Sequence, residues 1–339
     1  MAHHVNFGLW YDFRNPAPWT VPFETLYAQT LEQIAGAERL GYDSVWITEH
    51  HFCADGYTPS PLVIAGAIGA RTQRLRIGTN LMILPLHNPV RVAEDAATLA
   101  LLTGGRFDLG VGIGYRELEF REFGRQLSQR PSLIEEAIAI IRKAWAGEPL
   151  NFSGKRFQHG DVCVTPRPEH PPRLLLGGMA EPAIERAARI ADGFLSTGGI
   201  GHDVYVESLR KQGRAAGDGV IVAGHWAIIA EDPEREAAIV GPHALHQMNQ
   251  YIEWGAFGPP ASTPRFPDAK AALTQALYRL EDADQAVTSL VGLLQKYPQI
   301  KDLHFWAQLP GEAVASGQRR LEYIASKVLP RVRQALQAP

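Results

Sequence analysis

The chain predicts an α/β fold, specifically a (β/α)8 TIM barrel with loop insertions, and three observations carry that expectation. Short β-rich runs alternate with helical patterns along all 339 residues. Repeated βα order calls for a parallel sheet with helices outside it. The alternation yields about eight units, the number that closes a barrel. Finally, an apolar run, Val45-Trp46-Ile47, leads through Thr48 into three ionisable residues, Glu49-His50-His51. Such groups are costly to bury unless each finds a partner, and the C-terminal end of a parallel strand is where chemistry collects. An open doubly wound sheet is the rival, because strand counts from sequence carry an error of about two.

Taken in order, Val5 to Trp10 reads as the first strand and Phe23 to Leu40 as a helix closed by Gly41. Asp43 to Ile47 is the next strand, followed by an Ala-rich helix over 61–71, then strand Leu75 to Thr79. Asn88 as N-cap with Pro89 in the first helical position is a strong helix start. Phe107 to Val111 is a strand and Ser132 to Trp145 a helix; 147–172, rich in Gly, Pro and polar residues, predicts a hairpin or loop excursion. Strand Arg173 to Leu176, helix 182–191, strand Gly193 to Ser196, helix 204–216, strand 220–229 and helix 233–254 resume the rhythm. A proline-rich insertion, 255–267, precedes the last strand, Asp302 to Trp306. A closing helix over 312–337 carries Leu321, Ile324, Ala325 and Val328 on one face, with a kink expected at Pro330. Neither insertion is long enough to stand alone, so one domain over 1–339 is expected.

Composition narrows the function. With 45% hydrophobic and 20% charged residues the chain reads as a soluble globular protein with a large core. A formal net charge of -3 offers no field for nucleic acid or an anionic membrane. The two cysteines, Cys53 and Cys163, form no Cys-x-x-Cys pair. No charged-then-apolar leader and no apolar run of roughly 20 residues are visible, so a cytoplasmic protein is expected.

Four segments concentrate the chemistry. At Glu49-His50-His51, adjacent residues of an extended chain face opposite sides, so only one of the two histidines is expected in the pocket and no metal centre is favoured. Gly110-Val111-Gly112-Ile113-Gly114-Tyr115 lacks the third glycine of a dinucleotide fingerprint; its alternate glycines either admit a flat ligand or pack closely inside the barrel. Leu176-Gly177-Gly178-Met179-Ala180-Glu181-Pro182 is a strand end, two glycines and a helix start, which places backbone N–H groups at a positive helix terminus. Asn80, in the run Gly78 to Pro85, is either a satisfied turn amide or a ligand contact.

Together these segments resemble the bacterial luciferase-like flavin-dependent monooxygenases. The likeness is carried by VWITEHHF (45–52), the block 77–124 from IGTNLMILPLHNPV to REFG, GGMAEPAIERAARIADGFLSTGG (177–199) and LPGEAVASGQRRLEYIASKVLPRVR (309–333). It implies a TIM barrel, usually a homodimer, using reduced FMN from a separate NAD(P)H:flavin reductase with O2 as co-substrate; one branch uses the deazaflavin F420 instead, which is less expected here. It implies His50 as the proton-transferring base and Asn80-Leu81 as the site of a non-proline cis peptide beneath the ring. Gly114 and Tyr115 fall beside the cofactor. Gly177, Gly178, Met179 and Ala180 correspond to the phosphate turn, with Ser196 and Thr197 next to the flavin. Where luciferase has a phosphate-binding arginine this chain has Ile113, so backbone amides or an arginine from elsewhere must serve. Trp10, Tyr11, Phe52, Trp226 and Trp306 suggest an aromatic pocket for a small hydrophobic substrate, and 255–267 a lid.

Overall fold

The computed structural model describes residues 4–337. Eight parallel strands form the barrel: β1 (Asn6–Tyr11), β2 (Ser44–Ile47), β3 (Arg76–Thr79), β4 (Phe107–Gly112), β5 (Arg173–Gly177), β6 (Gly193–Thr197), β7 (Ile221–His225) and β8 (Ile300–Trp306). Each pairs with its sequence neighbours, β8 pairs with β1, and β3 with β4, so the sheet has no open edge. Closure excludes the open doubly wound sheet.

Strand alternation sorts the side chains into two cores. Phe7, Leu9 and Tyr11 of β1 pack outward among the helices, while Trp10 faces the interior with Trp46, Leu175, Leu195, Val222 and Trp306. At the N-terminal half of the sheet Asp108 is bridged by Arg76 at 2.7 Å and Arg173 at 2.6 Å, which ties three adjacent strands together away from the mouth. The Asn88 cap forms as expected, its Oδ1 accepting from the N–H of Val90 at 2.9 Å. The excursion after helix Arg130–Ala146 holds a short antiparallel pair, Phe152–Ser153 with Gln158–His159.

Two elements differ from expectation. The strand expected over 220–229 is interrupted at Trp226: Ile221–His225 stays in the barrel, whereas Ala227–Ile229 pairs in parallel with Arg279–Glu281 in a separate two-stranded sheet. Continuous β propensity conceals the break, because both halves bury equally apolar residues. In the closing helix a π turn, Ile324–Val328, lies immediately before Pro330. Proline has no N–H to donate, and the wider turn is where the chain absorbs that loss.

Candidate active site

The C-terminal strand ends open onto a cavity of about 360 Å³. His50, Asn80 and Gly178, which lie on segments far apart in sequence, all line it. Beyond β2 the chain is pinned by the N–H of Thr48 on the Tyr11 carbonyl and that of His50 on the Thr58 carbonyl, each at 3.2 Å. This clamp turns the His50 ring into the cavity.

Both ring nitrogens of His50 are engaged. Nδ1 lies 2.8 Å from Glu119 Oε1, and Nε2 lies 3.0 Å from the Tyr115 hydroxyl. Glu119 is fully buried on a short helix, Glu117–Glu122, directly after β4, and its Oε1 also accepts the N–H of His51 at 2.9 Å. Facing a carboxylate, Nδ1 carries the proton, which leaves the Nε2 lone pair to accept from Tyr115. Burial pushes the Tyr115 phenol well up, so it remains a donor. The result is a carboxylate–imidazole–phenol relay ending at the cavity wall.

Glu49, also on the wall, is buried. Burial alone would raise its carboxyl, but His87 and His51 beside it hold it down at about 2. The expected cis peptide is present at Asn80–Leu81. The Asn80 amide is turned inward, Nδ2 lying 2.9 Å from His304 Nε2, and its backbone carbonyl accepts the Trp10 indole N–H at 2.9 Å. Leu81 occupies a socket that two glycines leave open: a Cβ on either Gly112 or Gly177 would lie 2.6 Å from its methyl groups. The glycines of β4 therefore serve close packing, at Gly110 against the Thr79 carbonyl and at Gly112 against Leu81.

A candidate anion-binding end lies on the β4–β5 side. Met179 and Ala180, entering helix Glu181–Ile190, line the cavity, and among the described residues their backbone N–H groups have no partner. Arg130 lines it too, donating from Nε to the Leu127 carbonyl at 2.9 Å and from Nη1 to Gly114 at 2.6 Å. Among the described residues no carboxylate pairs with it. A guanidinium without a counter-ion beside a helix N-terminus fits a phosphate. Arg130 is thus a candidate for the arginine that position 113 lacks. Flat apolar walls, Leu81, Ile113 and Leu195, fit a planar ring next to it.

Of the residues singled out from sequence, Trp10, His50, Asn80, Leu81, Gly114, Tyr115, Gly177 to Ala180, Thr197 and Trp226 line the cavity. Four do not. Tyr11 points outward because its neighbour Trp10 points in, and its hydroxyl donates to Gln33 Oε1 at 3.1 Å. The same alternation turns Ser196 away while Leu195 and Thr197 line the wall; its Oγ donates to the Ile200 carbonyl at 2.8 Å. Phe52 lies beyond the strand at φ 55°, 54% exposed and near Phe123. Trp306 is stacked behind Trp10, ring centroids 4.3 Å apart. Sequence reasoning missed Glu119, Arg130, Tyr57 and Tyr251; the last two line the wall and share a hydrogen bond at 3.1 Å. Arg14, paired with Asp55 at 2.7 Å, sits 5.0 Å from the Tyr57 ring centroid and braces that wall. The insertion after helix Pro233–Trp254 reaches the mouth through Ala256 and Phe257.

The sequence model of the luciferase-like monooxygenases matches residues 5–293. The chain belongs to this family. Among curated relatives, it is 32% identical over 198 residues to an F420-dependent glucose-6-phosphate dehydrogenase of Amycolatopsis mediterranei (strain U-32). That match covers 56% of this chain and 60% of the relative, so the shared stretch is well short of the relative's full length. Among solved structures, the monooxygenase RslO1 from Streptomyces bottropensis superposes with a TM-score of 0.80 at 20% identity, covering 96% of this chain and 99% of that one. A type II Baeyer–Villiger monooxygenase from Pseudomonas putida, in complex with FMN, gives 0.78 at 18% identity over 97% and 98% of the two chains. These likenesses agree with the family match on the luciferase-like barrel.

Proposed function

We propose that this protein is a monooxygenase using reduced FMN and O2 on a small, apolar organic substrate. The observation that carries this reading is one cavity joining a single-phosphate cradle, Met179–Ala180 with Arg130, to the His50–Glu119 relay and an aromatic wall. Reduced FMN, when bound, supplies the electrons that activate O2 for transfer to the substrate. The chain's own residues do the rest. Gly177 to Ala180 and Arg130 bind the phosphate, and Leu81 supports the ring from its glycine socket. His50 Nε2 accepts or returns a proton through the Tyr115 hydroxyl at the cavity wall, with Glu119 holding the imidazole's tautomer and orientation. Trp10, Trp226, Tyr57, Tyr251 and Phe257 exclude water and give an apolar substrate its place. The reduced cofactor comes from a separate NAD(P)H:flavin reductase, and a homodimer in the cytoplasm is the expected working form.

A second reading, F420-dependent hydride transfer, is favoured by the curated relatives. Two features weigh against it. F420 carries an anionic tail beyond its phosphate, and the residue after the cradle is the acid Glu181. A sugar phosphate would also need a second cation, yet the only Lys or Arg side chain lining the described cavity is Arg130. The deciding experiment titrates the purified protein with reduced FMN and reduced F420 under anaerobic conditions, then admits O2 with a panel of apolar carbonyl compounds and aldehydes. Tighter FMN binding with substrate-dependent O2 uptake supports the reading; preferential F420 binding with no O2 uptake replaces it by the second.

A further inference from the structure

Just beyond β2, while the His50 ring meets Glu119 and Tyr115, Glu49 and His51 form a hydrogen-bonded i, i+2 pair. The turn after β3 brings His87 to the same point. Glu49 Oε1 lies 3.1 Å from His51 Nε2 and 2.8 Å from His87 Nε2, and the three donor atoms all fall within 4.8 Å of one another. We propose that Glu49, His51 and His87 bind one transition-metal dication of the Zn²⁺ class. The proposal departs from the expectation drawn from adjacent histidines: the ligands are alternate residues, joined by a third from the turn after the next strand.

The donor set is borderline-soft, two imidazoles and one carboxylate, and suits Zn²⁺ or Co²⁺. An ion bonded at about 2.1 Å to each ligand needs donors roughly 3 to 3.5 Å apart; the two separations from Glu49 Oε1, 3.1 and 2.8 Å, are already close to that. The second coordination sphere is also in place. Glu49 Oε2 accepts the N–H of Ile83, which fixes the carboxylate and leaves Oε1 for the metal, while the N–H of His51 is anchored on Glu119 Oε1 at 2.9 Å. Entry is from the surface, because the His87 side chain is 25% exposed whereas that of Glu49 is fully buried. On binding, each imidazole presents its Nε2 lone pair with the proton on Nδ1, the two N–H···Oε1 contacts give way to three metal bonds, and solvent completes the shell. The proposal does not depend on the flavin reading.

The test uses cofactor-free full-length protein stripped with a chelator and titrated with Co²⁺, followed by visible absorption, then with Zn²⁺ in competition. One equivalent of Co²⁺ with ligand-field bands, displaced by one Zn²⁺ and weakening as pH falls and the imidazoles protonate, is the expected result. His87→Gln should weaken it by at least about tenfold with the circular dichroism spectrum unchanged, and His51→Gln repeats the test at a second ligand. Absence of stoichiometric binding to the wild type would overturn the proposal. So would binding that survives both substitutions, since the ion would then sit elsewhere.

Discussion

Arg130 offers the sharpest test of where the cofactor phosphate sits. Its guanidinium donates to two backbone carbonyls, pairs with no carboxylate among the described residues and shares the cavity wall with Met179 and Ala180. A charge-assisted hydrogen bond to a phosphate contributes about 1.5–3 kcal/mol, so Arg130→Ala should weaken reduced FMN binding by roughly 10- to 100-fold. Losing the Leu127 and Gly114 contacts could disturb the wall for any ligand, and riboflavin, which has the ring but no phosphate, measures that contribution separately. The assay is anaerobic titration of both reduced ligands against wild type, Arg130→Ala and Arg130→Lys. FMN affinity should fall steeply in the alanine variant and partly in the lysine variant, which keeps the charge but loses the planar fork, while riboflavin affinity changes little. Equal losses for the two ligands, or no loss for FMN, would refute the phosphate assignment.

The relay predicts that His50→Gln lowers turnover by about 10²- to 10⁴-fold with cofactor binding retained. Glu119→Gln should share the direction, and single-turnover kinetics separates chemistry from binding. Leu81's socket predicts that Gly177→Ala costs about 1–3 kcal/mol by overpacking, read by thermal denaturation, because the new Cβ would lie 2.6 Å from a Leu81 methyl. Acid stability should depend on Glu49. Its carboxyl is lower in the folded protein, at about 2 against 4.5, so the stabilisation is present above the unfolded value and is lost as pH falls through the folded one. Glu49→Gln should therefore be less stable than wild type at neutral pH, by roughly 3 kcal/mol, and the gap should close between about pH 4.5 and 2. The raised His87 is the same interaction viewed from its other partner, and its contribution fades as pH rises through that folded value.

Much of the site was legible because it is written in local chemistry. Glycines before a helix start at Gly177 and Gly178, and charged groups after an apolar strand at Glu49 to His51, announce themselves within a few residues. Strand alternation, applied consistently, would also have removed Tyr11 and Ser196, since Trp10 and Thr197 claim the inner face. Glu119 was visible only as part of a polar run; nothing local tells which of Glu117 and Glu119 turns inward, because that depends on how the short helix docks against His50 and His51. Arg130 carried no signal at all: it reaches back to Gly114 from the start of the following helix.

The sequence alone determined the barrel, through its βα rhythm, and the family, through four ordered segments. It also located His50, Asn80 and the glycine turn on strand ends, because period, capping and turn chemistry are properties of neighbouring residues. Only the tertiary structure decided what each of these meets: Glu119 for His50, His304 for Asn80, and, across the cavity wall shared with the glycine turn, Arg130. Those choices depend on the angle at which separate strand ends and loops converge after barrel closure, a geometry no stretch of contiguous residues encodes.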